Sequence, residues 1–242
     1  MNRRLAIITG ASRGIGAAIA KAFAQSDYDL IVTCSNSIEL LQELAHNLQS
    51  EYAISCSAYQ VDMGDYEQVK CFYEKINLSS LDVLVNNAGI SYIGLLSDMS
   101  CEEWHRVMNT NLNSCFYSTK FSVPLMLKKH AGKIIQISSV WGNVGASMEV
   151  AYSTSKGGMN AFTKALAKEL APSNIQVNAI ACGAIDTTMN SFLTEEDREV
   201  LIQEIPADRL GQPEEIASLA IQLANSPSYL TGQVITIDGG WY

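Results

Sequence analysis

The chain has 242 residues, long for one average domain and short for two, which favours a single large α/β unit. Charged residues are 17% against 48% hydrophobic, which excludes a disordered chain and is ample for a dry core. A net charge of −9 excludes a general attraction to nucleic acid, and no run reaches the ~18 consecutive apolar residues of a membrane helix.

Met1-Asn2-Arg3-Arg4 leads straight into a strand-like run with no signal-peptide core, so a cytoplasmic protein without a membrane partner is expected. Strand-like runs follow at residues 5–9, 30–33, within 53–61, 81–86, 132–138, 176–180 and 233–237. Helical spacing fills 14–25, 38–50, 66–76, 102–129 and 152–170. Such alternation predicts an α/β fold with one doubly wound parallel sheet, a Rossmann fold with helices on both faces, spanning 1–242. The rhythm breaks at 183–206, where a long insertion carries Met189, Phe192 and Leu193 before an acidic helix-like stretch, and a substrate lid is expected. Six scattered cysteines, Cys34, Cys56, Cys71, Cys101, Cys115 and Cys182, lack ligand spacing and read as reduced apolar side chains, with no metal site.

The first strand ends in Thr9-Gly10-Ala11-Ser12-Arg13-Gly14-Ile15-Gly16 and turns at once into a helix. Glycines there let backbone N–H groups approach a pyrophosphate at a helix N-terminus, so a dinucleotide site is expected. The second strand ends in Thr33-Cys34-Ser35-Asn36-Ser37, without the acid that would bind a ribose 2′-hydroxyl. With Ser35 and Asn36 as donors and Arg13 as a phosphate partner, NADP(H) is expected over NAD(H). Asp62, after the third strand, is placed to accept from the adenine amino group or to be an exposed turn residue.

Tyr152 and Lys156 lie four apart and share a helix face, a spacing that by itself means only a solvated surface. Ser139 lies thirteen residues upstream, with Asn86-Asn87-Ala88-Gly89 and Asn111 further back. In this order, together with the glycine loop, the whole chain resembles the short-chain dehydrogenase/reductase family. The resemblance implies Tyr152 as proton donor, Lys156 tuning the phenol and holding the nicotinamide ribose, Ser139 polarising the substrate oxygen, and Asn111 keeping a relay water. It also implies that Gly10, Ser12, Arg13, Ile15 and Gly16 meet the cofactor phosphates or adenosine side. Asn86, Ala88 and Gly89 would meet its ribose, and Gly183, Ile185 and Thr187 its carboxamide end. The family usually has Pro where Cys182 stands. A non-catalytic cofactor-binding regulator would be expected to lose Tyr152 or Lys156, and both are present.

Within the family, Pro206-Ala207-Asp208-Arg209-Leu210-Gly211 and Asp238-Gly239-Gly240 look most like 3-oxoacyl-acyl-carrier-protein reductases of fatty acid biosynthesis. Glu149, one helical turn before Tyr152, suits instead a cationic substrate. The blocks around Ser139, Glu149 and Trp241-Tyr242 are also similar to a subgroup that reduces an aminopentanone carried on a lysine of elongation factor P. Met189 and Phe192 join Ser139, Glu149 and Tyr152 as expected substrate contacts. Acyl carrier protein or elongation factor P is the implied carrier, and the family implies a homotetramer or dimer, with Trp241 and Tyr242 near an interface.

Overall fold

The computed structural model describes residues 3–191 and 193–242. Seven parallel strands form one sheet in the order β3-β2-β1-β4-β5-β6-β7. They are β1 (Arg4–Ile8), β2 (Tyr28–Cys34), β3 (Cys56–Gln60), β4 (Val83–Asn86), β5 (Gly132–Ser139), β6 (Ile175–Cys182) and β7 (Val234–Ile237). Every residue of β6 is buried, the pattern of a strand covered on both faces. The strand order reverses between β1 and β4, which opens a crevice at their carboxyl ends.

Two apolar layers cover the sheet. One packs Ile19 and Phe23 of α1 (Gly14–Gln25), Leu41 and Leu48 of α2 (Ile38–Tyr52), and Ile216 and Leu223 of a C-terminal helix against Ile8, Val32 and Ile135. The other packs Val69 and Phe72 of α3 (Tyr66–Ile76) with Met126 and Leu170 against Ile7, Leu84 and Val177. β2 starts two residues earlier than the pattern predicts because Tyr28 packs edge-on to Phe23, 4.9 Å between centroids.

The helix expected over 102–129 is interrupted. α4 (Cys101–Met108) gives way to a π-helical turn, Asn109–Asn113, before α5 (Ser114–Leu127) resumes. Asn109-Thr110-Asn111-Leu112-Asn113 is rich in side chains that compete for backbone partners, and Ser114 Oγ donates to the Thr110 carbonyl at 2.6 Å. The wider turn carries Asn111 wholly inside the protein.

After β5 come a short α6 (Trp141–Val144) and the long α7 (Val150–Leu170). The 183–206 insertion forms a single 3₁₀ turn, Thr188–Asn190, and then α8 (Glu195–Glu204), which buries no residue of its own. α9 (Pro213–Ala224), outside the helices predicted above, starts on Pro213 and packs beside α1. Among the described residues, no helix is long and apolar enough to cross a membrane.

Candidate active site

The turn after β1 is built for close approach of backbone. A Cβ on Gly16 would lie 2.2 Å from the Gly10 carbonyl oxygen, and one on Gly10, which has φ +65°, would lie 2.9 Å from Ala88 Cα. Neighbouring Thr9 and Asn87 lock the two loops together. The Thr9 hydroxyl accepts from the N–H groups of Asn87 and Ala88, and Asn87 Nδ2 donates to the carbonyls of Thr9 and Gly10, all within 3.0 Å. Arg13 begins α1 with an extended backbone and no side-chain cap, and the first turn holds no acid. Uncapped N–H groups and the positive helix end therefore face the crevice, a fit for a pyrophosphate. Ser12 is half-buried in this turn, Arg13 is exposed, and Ile15 lines the cleft.

Ser35 and Asn36 stand exposed at the end of β2, with no carboxylate between Cys34 and Glu39. Asp62 is also exposed, but its Oδ1 accepts from Gly64 N–H at 2.9 Å, so the carboxylate caps its own turn. Asn86 needs a larger correction. Its side chain is buried beneath α5, where Ser118 Oγ donates to its Oδ1 at 2.6 Å, away from the expected ribose contact. Asn87 and Gly89 line the cleft instead. Alternation along β4 sends neighbouring side chains to opposite faces, the one signal that could have separated the two asparagines.

Ser139, Tyr152 and Lys156 meet on one wall of a cleft of about 380 Å³. Ser139 closes β5, and its Oγ accepts from Trp141 N–H at 3.2 Å, whereas Ser138 is held by Asn160 at 2.6 Å. Lys156 is buried, donates to the Ile137 carbonyl at 2.7 Å and lies 5.6 Å from the centroid of the Tyr152 ring. Burial lowers the lysine's affinity for its proton. Burial is also the largest influence on Tyr152 and pushes its phenol above the ordinary range; Cys182 and Glu149 add to this, and only Ser139 opposes it. Burial thus favours the protonated phenol in the free site, the form a proton donor needs.

The side chain of Asn111 is fully engaged within the protein. Its Nδ2 donates to the Ile90 carbonyl at 2.9 Å and to Ser155 Oγ at 3.0 Å, while its Oδ1 accepts from Ile90 N–H at 2.8 Å. Its amide thus braces the loop after β4 against α7.

Residues of the 183–206 insertion also line the cleft. Ile185 is buried and bridges to Gly211, and Gly183 N–H donates to the Ile237 carbonyl at 2.9 Å. Thr187 reaches the phosphate loop: a Cβ on Gly14 would lie 3.4 Å from its Cγ2. Met189 lines the cleft and is partly exposed, while Phe192 lies outside the described residues. Glu149 lines the cleft half-buried, and Ser91 Oγ donates to its Oε2 at 2.9 Å. Burial raises its pKa, while the Ser91 hydroxyl and Trp141 pull it down. Trp141 and Trp241 are among the lining residues that the sequence did not single out as site residues. Cys182 also lines the cleft, its thiol pushed up to about 12 by burial, so it is an inert wall. No cluster of potential metal ligands occurs among the described residues.

A family model described as short chain dehydrogenase matches residues 4–198. A 3-oxoacyl-acyl-carrier-protein reductase of Aquifex aeolicus (strain VF5) is 39% identical over 242 residues, covering 99% of this chain and 97% of its own. An uncharacterised oxidoreductase of Bacillus subtilis (strain 168) is 37% identical over 240 residues, covering 99% of each chain. Among solved structures, an NADPH-dependent reductase involved in bacilysin biosynthesis superposes with a TM-score of 0.93 at 27% identity, over 100% of this chain and 99% of that one.

Proposed function

The chain belongs to the short-chain dehydrogenase family, and from that membership and its cleft we propose an NADP(H)-dependent oxidoreductase that reduces a ketone to a secondary alcohol. The observation that carries the reading is the convergence of Ser139, Tyr152 and Lys156 on one cleft wall beside an uncapped helix N-terminus. With a nicotinamide bound in the cleft, the hydride for the carbonyl carbon would come from that cofactor. Tyr152 gives its phenol proton to the carbonyl oxygen, and Ser139 orients that oxygen. Lys156, held by Ile137, stabilises the phenolate left behind. The uncapped start of α1 holds the pyrophosphate, and the exposed Arg13, Ser35 and Asn36 favour a 2′-phosphate over a bare ribose.

Full-length similarity to 3-oxoacyl-acyl-carrier-protein reductases supports a 3-oxoacyl thioester on a carrier protein. A second reading, a ketone bearing an amine such as an aminopentanone on a lysine of elongation factor P, is favoured by Glu149. A carboxylate in the cleft wall is complementary to a cation and offers nothing to an acyl chain. The experiment is NADPH consumption with acetoacetyl-carrier protein and with an amino ketone in parallel. Faster reduction of the thioester supports the first reading and faster reduction of the amine the second; neither substrate being reduced overturns the proposed activity. We further propose a homodimer or homotetramer, supported by the exposed Phe116 on α5. A monomer in light scattering at micromolar concentration would count against it.

A further inference from the structure

The residues after β7 fold back over the mouth of the cleft. The Asp238 carboxylate accepts from the N–H groups of Gly240 at 3.0 Å and Tyr242 at 2.9 Å, forming a turn that Ala207 N–H braces through the Gly239 carbonyl at 3.1 Å. This turn sets Trp241 5.0 Å from Trp141, centroid to centroid, with the rings inclined at 60°. Tyr242 packs on both, at 5.1 Å and 4.8 Å. Two inclined indoles thus make a corner in the cleft wall, and the lining also includes Glu149.

The charge pattern around that corner is one-sided. Only two charged side chains line the cleft among the described residues, Lys156 and Glu149. Lys156 is already bonded to the Ile137 carbonyl, and the hydrogen-bond partners of Glu149, the Ser91 hydroxyl and Trp141, are neutral. A half-buried carboxylate without a cationic partner is unfavourable, and an acyl chain would strip it of more water. A substrate ammonium would neutralise it while resting against two indole faces, the side chains best suited to attract a cation.

We propose that Glu149, Trp141 and Trp241 form a subsite for an alkylammonium group of the substrate, with Trp241 presented by the C-terminal turn of the same chain. The inference rests on the amino-ketone reading above. It assigns binding to two tryptophans and makes the position of the Asp238 turn part of substrate selection. Ala207, which follows the 183–206 insertion, donates to the Gly239 carbonyl of the same turn at 3.1 Å.

The test uses a ketone that cannot cyclise, (4-oxopentyl)trimethylammonium, against its uncharged isostere 6,6-dimethylheptan-2-one, with NADPH. The readout is the ratio of kcat/KM for the two, which divides out a general loss of activity. The wild type should favour the cation. Trp241→Ala and Glu149→Gln should each lower the ratio at least about fivefold, and Trp241→Phe should keep most of it because an aromatic face remains. An equal rate for both ketones in the wild type, or an unchanged ratio in Trp241→Ala, would overturn the subsite. Should neither ketone be reduced, tryptophan fluorescence decides separately from the proposed activity. Saturable quenching by butyltrimethylammonium that Glu149→Gln removes supports the subsite, and absence of quenching refutes it.

Discussion

Asn111 and Ile90 are joined by a reciprocal pair of hydrogen bonds, the side-chain amide donating to the Ile90 carbonyl at 2.9 Å and accepting from its N–H at 2.8 Å. The pair mimics one rung of a sheet and fixes the loop after β4 exactly where Gly89 passes Lys156: a Cβ on Gly89 would lie 3.6 Å from Nζ. Replacing Asn111 by Leu keeps the bulk and strands both Ile90 groups. The expected cost is about 2 kcal/mol of stability, read by denaturant unfolding, with a fall in turnover. An unchanged midpoint would show that the loop does not depend on this brace.

Tyr152 carries the proton, so Tyr152→Phe should lower turnover by roughly 10² to 10⁴. NADPH affinity, measured by fluorescence titration, should stay near the wild-type value. Retained turnover would remove Tyr152 from the mechanism.

Gly16→Ala places a carbon 2.2 Å from the Gly10 carbonyl oxygen, a backbone atom that cannot swing aside. The phosphate loop must shift, and NADPH binding should weaken at least about tenfold, ~1.4 kcal/mol. Gly145→Ala is the contrasting control, since no atom lies within 4 Å of its added carbon and its positive φ strains only a surface turn. Equal NADPH affinity in the two variants would place the pyrophosphate elsewhere.

Burial raises the pKa of Glu149, so its negative charge is present above that raised pKa and is lost as pH falls through it. Preference for a cationic ketone over an uncharged one should therefore decline on the acid side, beginning above the usual carboxyl pKa of ~4.3. Glu149→Gln should make the preference independent of pH over the same range. Tyr152 also lines the cleft, but burial raises its pKa and keeps it uncharged on the acid side.

Glu215 shows the opposite shift. Two hydrogen bonds of 2.7 Å from Arg209 and a third from Gln212 N–H lower its pKa to about 2. The pairing stabilises the fold above the unfolded carboxyl pKa of ~4.3 and is lost as pH falls toward about 2. Arg209→Gln should flatten the dependence of Tm on pH in that window and leave it unaltered near neutrality. An identical acid limb in the variant would show that the pair contributes nothing.

The sequence by itself determined the alternation of seven strands with helices, the glycine turn after β1, and the order of Ser139, Tyr152 and Lys156. These are local facts: β-branched runs, tight-turn glycines and a four-residue helical spacing each act over a few neighbouring residues. Only the tertiary structure decided which of Asn86 and Asn87 faces the cleft, because the pleat of β4 and the hydroxyl of Ser118 on α5 turn one of them away. Likewise the bracing amide of Asn111 depends on a π turn that helical periodicity does not announce, and on Ile90 and Ser155 arriving from other elements. The upward shift of the Tyr152 pKa follows from burial, a property of the whole assembly of layers. Trp141 and Trp241 are a hundred residues apart in the chain, and only the turn at Asp238, set by the position of β7 at the sheet edge, brings them together beside Glu149.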